Sequence, residues 1–204
     1  MNKEHGPIVT ALSNRRSTRP RRLVPPAPGP EALETLIEAA TRAPDHGHLQ
    51  PWRFLVVEGE DRQWLGDRLV ESYRRRQPQA TEDDLERQRD KAAAKAPMLI
   101  GLVAHLTDHP AVPHEEQKYA VMVAGGYLML AAGELGFGTI LLSGDHVRDR
   151  QLNRELGLAE NEHLLGWINI GTPDRHPAPR KNAPTTRPGA FIYHLGFDAP
   201  SIDE

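Results

Sequence analysis

The chain has 204 residues, a formal net charge of −3 and no cysteine. That length suits one domain or one subunit of a compact oligomer, and the acidic balance argues against a general nucleic-acid binder. The missing thiols exclude disulfides, thiolate catalysis, iron–sulfur clusters and cysteine-based zinc sites together.

A hydrophobic fraction of 38% is low for a self-sufficient globule, and a core shared between two subunits would make up the difference. Residues 1–10 hold no apolar run that would serve as a signal peptide. The longest apolar run, residues 119–132, is shorter than the ~20 residues a bilayer span needs. The expectation is a cytoplasmic protein with neither membrane nor nucleic acid as partner.

In chain order, residues 7–14 read as a short helix with Ile8, Val9 and Leu12 on one side. Arg15, Arg16, Arg19, Arg21 and Arg22 follow within eight positions. This run reads either as a solvated basic arm or, with Ser17 beside it, as a phosphate clamp. The prolines at 25, 26, 28 and 30 make an extended segment. Pro30, Glu31 and Glu34 then open a helix that carries Leu33, Leu36, Ile37 and Ala40 on one face.

Pro44 stops that helix and starts the connection Arg42-Ala43-Pro44-Asp45-His46-Gly47-His48-Leu49-Gln50-Pro51-Trp52. Two prolines, two histidines and an arginine exceed what a simple chain reversal needs, and rigid loops are where scaffolds place binding residues. Residues 52–57 read as a buried strand. Residues 61–76 read as a helix turning Trp64, Leu65, Leu69 and Tyr73 inward. Residues 81–96 open with a capping signal, Thr81 and Asp84, and form a charged solvent-facing helix or a mobile flap.

Residues 98–106 are apolar at nearly every position and read as a central strand. Asp108, His109 and His114 match no compact ligand motif, so no metal site is expected. The helix over 115–135 is apolar around its circumference from 119 to 132 and is expected to be buried all round, against a second subunit. Gly133, Gly136 and Gly138 imitate a dinucleotide fingerprint, but they follow a helix and enter a strand, the reverse of the order that mechanism requires.

A strand at 137–142 leads to a helix capped by Asp145 and running to 156, then to a strand at 164–170. A proline-rich tail follows, with a strand-like piece at 190–195 suited to pairing with a partner's sheet. No nucleophile elbow, glycine-rich phosphate loop or carboxylate pair at helical spacing appears. No catalytic side chain is therefore expected, and any chemistry would come from a cofactor.

Asn14-Arg15-Arg16-Ser17-Thr18-Arg19, Arg42-Ala43-Pro44-Asp45-His46, Gln50-Pro51-Trp52, Gly136-Phe137-Gly138, Leu141-Leu142-Ser143-Gly144 and Ile170-Gly171-Thr172-Pro173 occur in this order. Together they resemble the FMN-dependent nitroreductase superfamily, in its compact single-domain branch, over residues 8–195. The resemblance implies an α+β fold with a central, mostly antiparallel sheet flanked by helices, in an intertwined homodimer. It makes residues 1–204 one domain, with 1–7 a flexible N-terminus and 172–204 a C-terminal extension wrapping the partner.

It further implies non-covalent FMN, reduced by NADH or NADPH and oxidised by nitroaromatics, quinones or similar small acceptors. The alternatives are reduction of small aldehydes or enones, or flavin storage without turnover. By the same resemblance Arg15, Arg16 and Ser17 lie at the phosphate and ribityl side, and Arg19 lies near flavin N1 and O2. Arg42, His46, Leu141, Leu142, Ser143 and Arg180 are further cofactor contacts. His46 also reads as a structural loop histidine.

Ala131, Ala132, Gly133, Glu134, Leu135 and Gly136 are the implied nicotinamide side, or simply helix packing. Two positions depart from the pattern. His48 replaces a common asparagine, and Leu141-Leu142 replaces a Trp-Arg pair of close relatives, which leaves a more open and less polar pocket.

Overall fold

The computed structural model describes residues 6–93, 95–174 and 188–194. The chain divides into two compact units, residues 1–174 and 175–204. In the second, the described part is a 3-10 turn at Pro188–Phe191 followed by three residues without regular structure. The strand expected at 190–195 is therefore a tight turn where it is described, consistent with Pro188 and Gly189 breaking the ladder. Arg180 and most of the C-terminal extension lie outside the described residues, as do residues 1–5 of the expected flexible N-terminus.

The first unit is α+β. Helices α1 (Pro7–Asn14), α2 (Pro30–Ala40), α3 (Asp61–Arg76), α4 (Glu82–Ala93), α5 (His114–Glu134) and α6 (Arg150–Glu155) accompany five strands. These are β1 (Leu23–Val24), β2 (Trp52–Glu58), β3 (Met98–His105), β4 (Gly138–Leu142) and β5 (Glu162–Pro173). Every strand pair is antiparallel. β2 is one edge, β3 and β5 lie inside, and β4 and β1 share the far edge of β5. The register sets Met98 opposite Ile170, Trp52 opposite Ala104 and Leu142 opposite Trp167.

The near-continuous apolar run of β3 follows from its position, since both faces are covered. Met98, Ile100, Leu102 and Ala104 pack with α2 and α5, whereas Leu99 and Val103 join Leu65 and Leu69 of α3, Leu152 and Trp167. α5 presses close to the sheet, and a Cβ on Gly125 would stand 2.5 Å from Leu102 Cδ1. Among the described residues no helix is long and apolar enough to cross a membrane.

Several expectations are corrected. β2 is half-buried rather than buried because it is an edge. Trp64 is 45% exposed, one step off the stripe that buries Leu65 and Leu69. α4 is not wholly solvent-facing: it packs on α3 and buries Leu85 and Ala92. Its capping signal is as read, with Thr81 Oγ1 donating to Asp84 Oδ2 at 2.7 Å.

The helix expected from Asp145 begins later. Asp145–Arg148 is a 3-10 turn, and the cap is Asp149, whose Oδ1 accepts from the backbone of Gln151 and Leu152. The burial of α5 is expected to need a second subunit, and one chain by itself leaves part of the helix open. Tyr119, Met122, Val123 and Tyr127 form an exposed stripe.

Candidate functional site

The arginine segment after α1 is laid along β4. Ser17 bridges Thr139 in parallel, and Thr18 N–H donates to the Thr139 carbonyl at 2.9 Å. This brings Arg19 to the end of β4, where Leu142, Ser143 and Gly144 leave the sheet. There a cavity of about 400 Å³ opens between the sheet and α3 and α4. Its apolar wall is Leu65, Leu69, Leu99, Leu142 and Trp167. Its rim carries Arg19, Arg21, Lys91 and Lys95, with no carboxylate among the lining residues.

Two polar atoms of the lining are buried without a partner among the described residues, the indole Nε1 of Trp167 and Nε2 of His146. A buried N–H left unpaired costs about 1–3 kcal/mol, so a ligand acceptor there would be favoured. Burial, with Lys91 and Arg76 beside it, pushes the His146 pKa down from 6.5 to about 4. Burial, helped by Lys95 and Arg76, likewise lowers that of Lys91. The cavity is apolar in its walls, cationic at its rim and short of hydrogen-bond acceptors. That chemistry suits a flat ligand with an electron-rich polar edge.

The remaining candidates are distributed unevenly. Arg15 is exposed and donates to Ser17 Oγ at 3.3 Å. Arg16 turns back on α1 and donates to the carbonyls of Ser13 and Arg15, each at 2.7 Å. Strand alternation sends Leu141 into the core with α5, so only Leu142 and Ser143 present side chains to the cavity. Ala132 is fully buried, Ala131 is half-buried, and residues 133–136 are exposed at the end of α5.

Arg42 and His46 are elsewhere. Arg42 pairs with Glu38 at 3.1 Å, and His46 Nδ1 is 2.9 Å from Glu116 Oε1 on α5. Their loop enters β2, whereas Arg19 and Leu142 lie by β4. The two edges are separated by three inter-strand spacings, about 14 Å. One chain therefore does not bring the two sets together.

The loop itself is tightly built. Asp45 Oδ2 accepts from Gln50 N–H at 2.7 Å, and Gly47, His48 and Gln50 all have positive φ (78°, 54° and 48°). Left-handed backbone at two non-glycine residues is strain of the kind that accumulates at functional loops. Buried Gln117 anchors the neighbouring loop through Thr107 and Val112, and Val112 packs beneath Gly47. His114, near the same loop, pairs with Asp108 at 3.0 Å.

Lys91, Lys95, His146 and Trp167 were not singled out as site residues from the sequence. The charge of α4 reads as a solvated face, and Trp167 lies in an ordinary apolar strand. Two lysines four apart, Lys91 in α4 and Lys95 between α4 and the central strand, were the available signal.

The Nitroreductase family model matches residues 12–172. "Putative NAD(P)H nitroreductase YdjA" of Escherichia coli K12 is 34% identical over 179 residues, which are 87% of this chain and 94% of that protein. The crystal structure of a nitroreductase-like family protein from Bacillus cereus superposes with a TM-score of 0.75 at 22% identity, covering 94% of this chain and 97% of that one. A mutant of the FMN and NADPH-dependent nitroreductase NfnB from sphigopyxis sp. strain HMH does so with a TM-score of 0.68, also at 22% identity, covering 93% and 99%.

Proposed function

The chain belongs to the nitroreductase family, and we propose that it is an FMN-dependent oxidoreductase using NADH or NADPH as electron donor. The observation that carries this reading is the cavity in which Arg19, Leu142 and Ser143 converge with Lys91, Lys95 and the unpaired Trp167 indole. Those residues fit FMN. The apolar walls suit the ring system, and the cationic rim and orphan N–H suit its carbonyl-bearing edge. When bound, FMN accepts two electrons and a proton as hydride from the nicotinamide and passes them to a nitroaromatic, quinone or similar acceptor.

The chain's own part is binding and electrostatics. Arg15, Arg16 and Ser17 would hold the phosphate through charge-assisted hydrogen bonds. Arg19 and Lys91 place fixed positive charge at the cavity rim, where negative charge is stabilised in a low-dielectric site. Leu65, Leu69 and Leu99 keep water out of its floor. No protein nucleophile is required.

The functional unit in this reading is a homodimer. The exposed stripe Tyr119, Met122, Val123 and Tyr127 is the surface to be covered, with the exposed Ile8, Val9 and Leu12 of α1. A second copy would then supply its own loop 42–48, with Arg42 and His46, to complete the site. The C-terminal extension wrapping that copy belongs to the same proposal.

The deciding measurement is the absorbance of the purified protein before and after heat release, followed by anaerobic addition of NADPH or NADH. Two flavin bands that move to the supernatant on heating and bleach with the nucleotide are expected. A protein that stays yellow would be a flavin store. A colourless one that does not take up added FMN would overturn the reading.

A further inference from the structure

Ser143 borders a second feature, a groove of about 920 Å³ lined by Lys118, Arg148, Arg150, Arg154 and His163, with Glu160 and Glu162 as its acidic members. One of the two acids is not free to offset the cations. Glu162 is buried and already engaged, accepting from Arg53 Nη1 at 2.5 Å and from Ala159 N–H at 3.0 Å. Lys118 is occupied too, with Nζ 2.7 Å from Glu115 Oε1. Burial, with Lys118 and His114 near it, lowers the pKa of His163, so it adds hydrogen bonding rather than charge at neutral pH.

Arg148, Arg150 and Arg154 remain. Arg148 is 3.9 Å from exposed Asp145. Arg150 and Arg154 have no carboxylate partner among the described residues, and Arg154 Nε reaches only the Arg150 carbonyl. The two stand four apart on α6, where like charges on one face repel. The acids flanking the pair in sequence are both engaged: Asp149 pairs with Arg75 at 2.8 Å, and Glu155 is turned to Gln151 at 3.0 Å and Arg68 at 3.9 Å. An unrelieved pair of guanidinium groups in a groove is a site waiting for an anion.

We infer that this groove takes the adenosine end of NADPH, with Arg150 and Arg154 on its 2′-phosphate, which makes NADPH the preferred donor over NADH. The inference rests on the proposed function, in which a nicotinamide is oxidised at the neighbouring cavity. The turn Asp145–Arg148 separates the two spaces, with His146 lining the cavity and Val147 and Arg148 lining the groove, while Ser143 belongs to both. A dinucleotide with its nicotinamide at the cavity mouth extends past Ser143 along that turn.

A phosphate dianion takes bidentate, charge-assisted hydrogen bonds from guanidinium groups, whereas the 2′-hydroxyl of NADH offers no charge. This placement concerns the adenosine end alone and is separate from the nicotinamide side expected at residues 131–136. Those residues lie about 20 Å along α5 from Lys118, at 1.5 Å per residue.

The test is calorimetric titration of the FMN-loaded chain with 2′,5′-ADP and with 5′-AMP. The expected result is at least tenfold tighter binding of 2′,5′-ADP. Arg150→Gln combined with Arg154→Gln should bring the two nucleotides within about twofold while leaving flavin content unchanged. Equal affinities in the wild type, or an undiminished preference in the double variant, would overturn the inference.

The same titration on the flavin-free chain separates the two claims. A preference for 2′,5′-ADP in a protein that never binds FMN sinks the flavin reading and keeps the groove. A yellow protein without the preference does the reverse.

Discussion

Arg15 and Arg16 are neighbours in sequence, yet only the Arg16 side chain turns back on the backbone, donating to the carbonyls of Ser13 and Arg15 at 2.7 Å. Arg16→Ala should therefore cost about 0.5–1.5 kcal/mol of stability, read as a shift in the urea midpoint. Arg15→Ala should leave that midpoint in place and weaken FMN retention in equilibrium dialysis. Unchanged FMN affinity would remove Arg15 from the phosphate side. His146 makes a pH prediction. Its folded pKa of about 4 lies below the ordinary 6.5, so below pH 6.5 the unfolded chain takes up a proton that the native chain refuses. Stability falls as pH drops from about 6.5 toward 4, by up to ~1.4 kcal/mol per unit and about 3 kcal/mol in all. His146→Gln should flatten that slope in urea titrations at pH 7 and pH 5; an unchanged slope would mean that His146 titrates normally.

At the scale of elements, α5 and α6 show where pattern and packing part company. The sequence points to Asp145 as the cap of α6, whereas the structure uses Asp149, which Arg75 Nη2 of α3 contacts at 2.8 Å. Asp149→Ala should cost about 1 kcal/mol through the cap alone, and Asp145→Ala much less, in parallel denaturation curves. In α5, Gly125 reads as a weak point, since alanine favours a helix by about 1 kcal/mol. The 2.5 Å approach to Leu102 reverses the sign. Gly125→Ala should destabilise by about 1–3 kcal/mol through overpacking, and a stabilised variant would show that the helix can lift off the sheet at little cost.

For the molecule as a whole, the decisive quantity is the apolar surface that one chain leaves open. Tyr119 and Tyr127 are 64% and 37% exposed on a helix whose other side is core. Tyr127→Arg should convert a dimer into a monomer in light scattering and release FMN in the same step, because the loop carrying Arg42 and His46 would be lost from the site. A monomeric wild type, or a monomeric variant with full flavin, would show that the site is complete within one chain.

The helices, the strands and their order are legible in the sequence because they rest on local physics. Apolar periodicity, the prolines at 30 and 44, and the Thr81–Asp84 cap act over a few residues. The arginine segment is legible as a candidate phosphate clamp for a similar reason, since its residue types already specify charge and hydrogen bonding, whereas the turn after residue 142 is legible as a binding segment only through the family resemblance. Tertiary structure alone decided that Arg19, Lys91, Ser143 and Trp167 surround one cavity. Their proximity comes from strand register, with Leu142 opposite Trp167 and Trp167 opposite Gly101, and no local pattern encodes a register between strands so far apart in the chain. It also decided that Arg42 and His46 sit at the opposite edge of the sheet, and that one face of an apolar helix is left uncovered. The first follows from the strand order, which puts β2 and β4 at opposite edges, and the second from how much apolar surface one chain can bury.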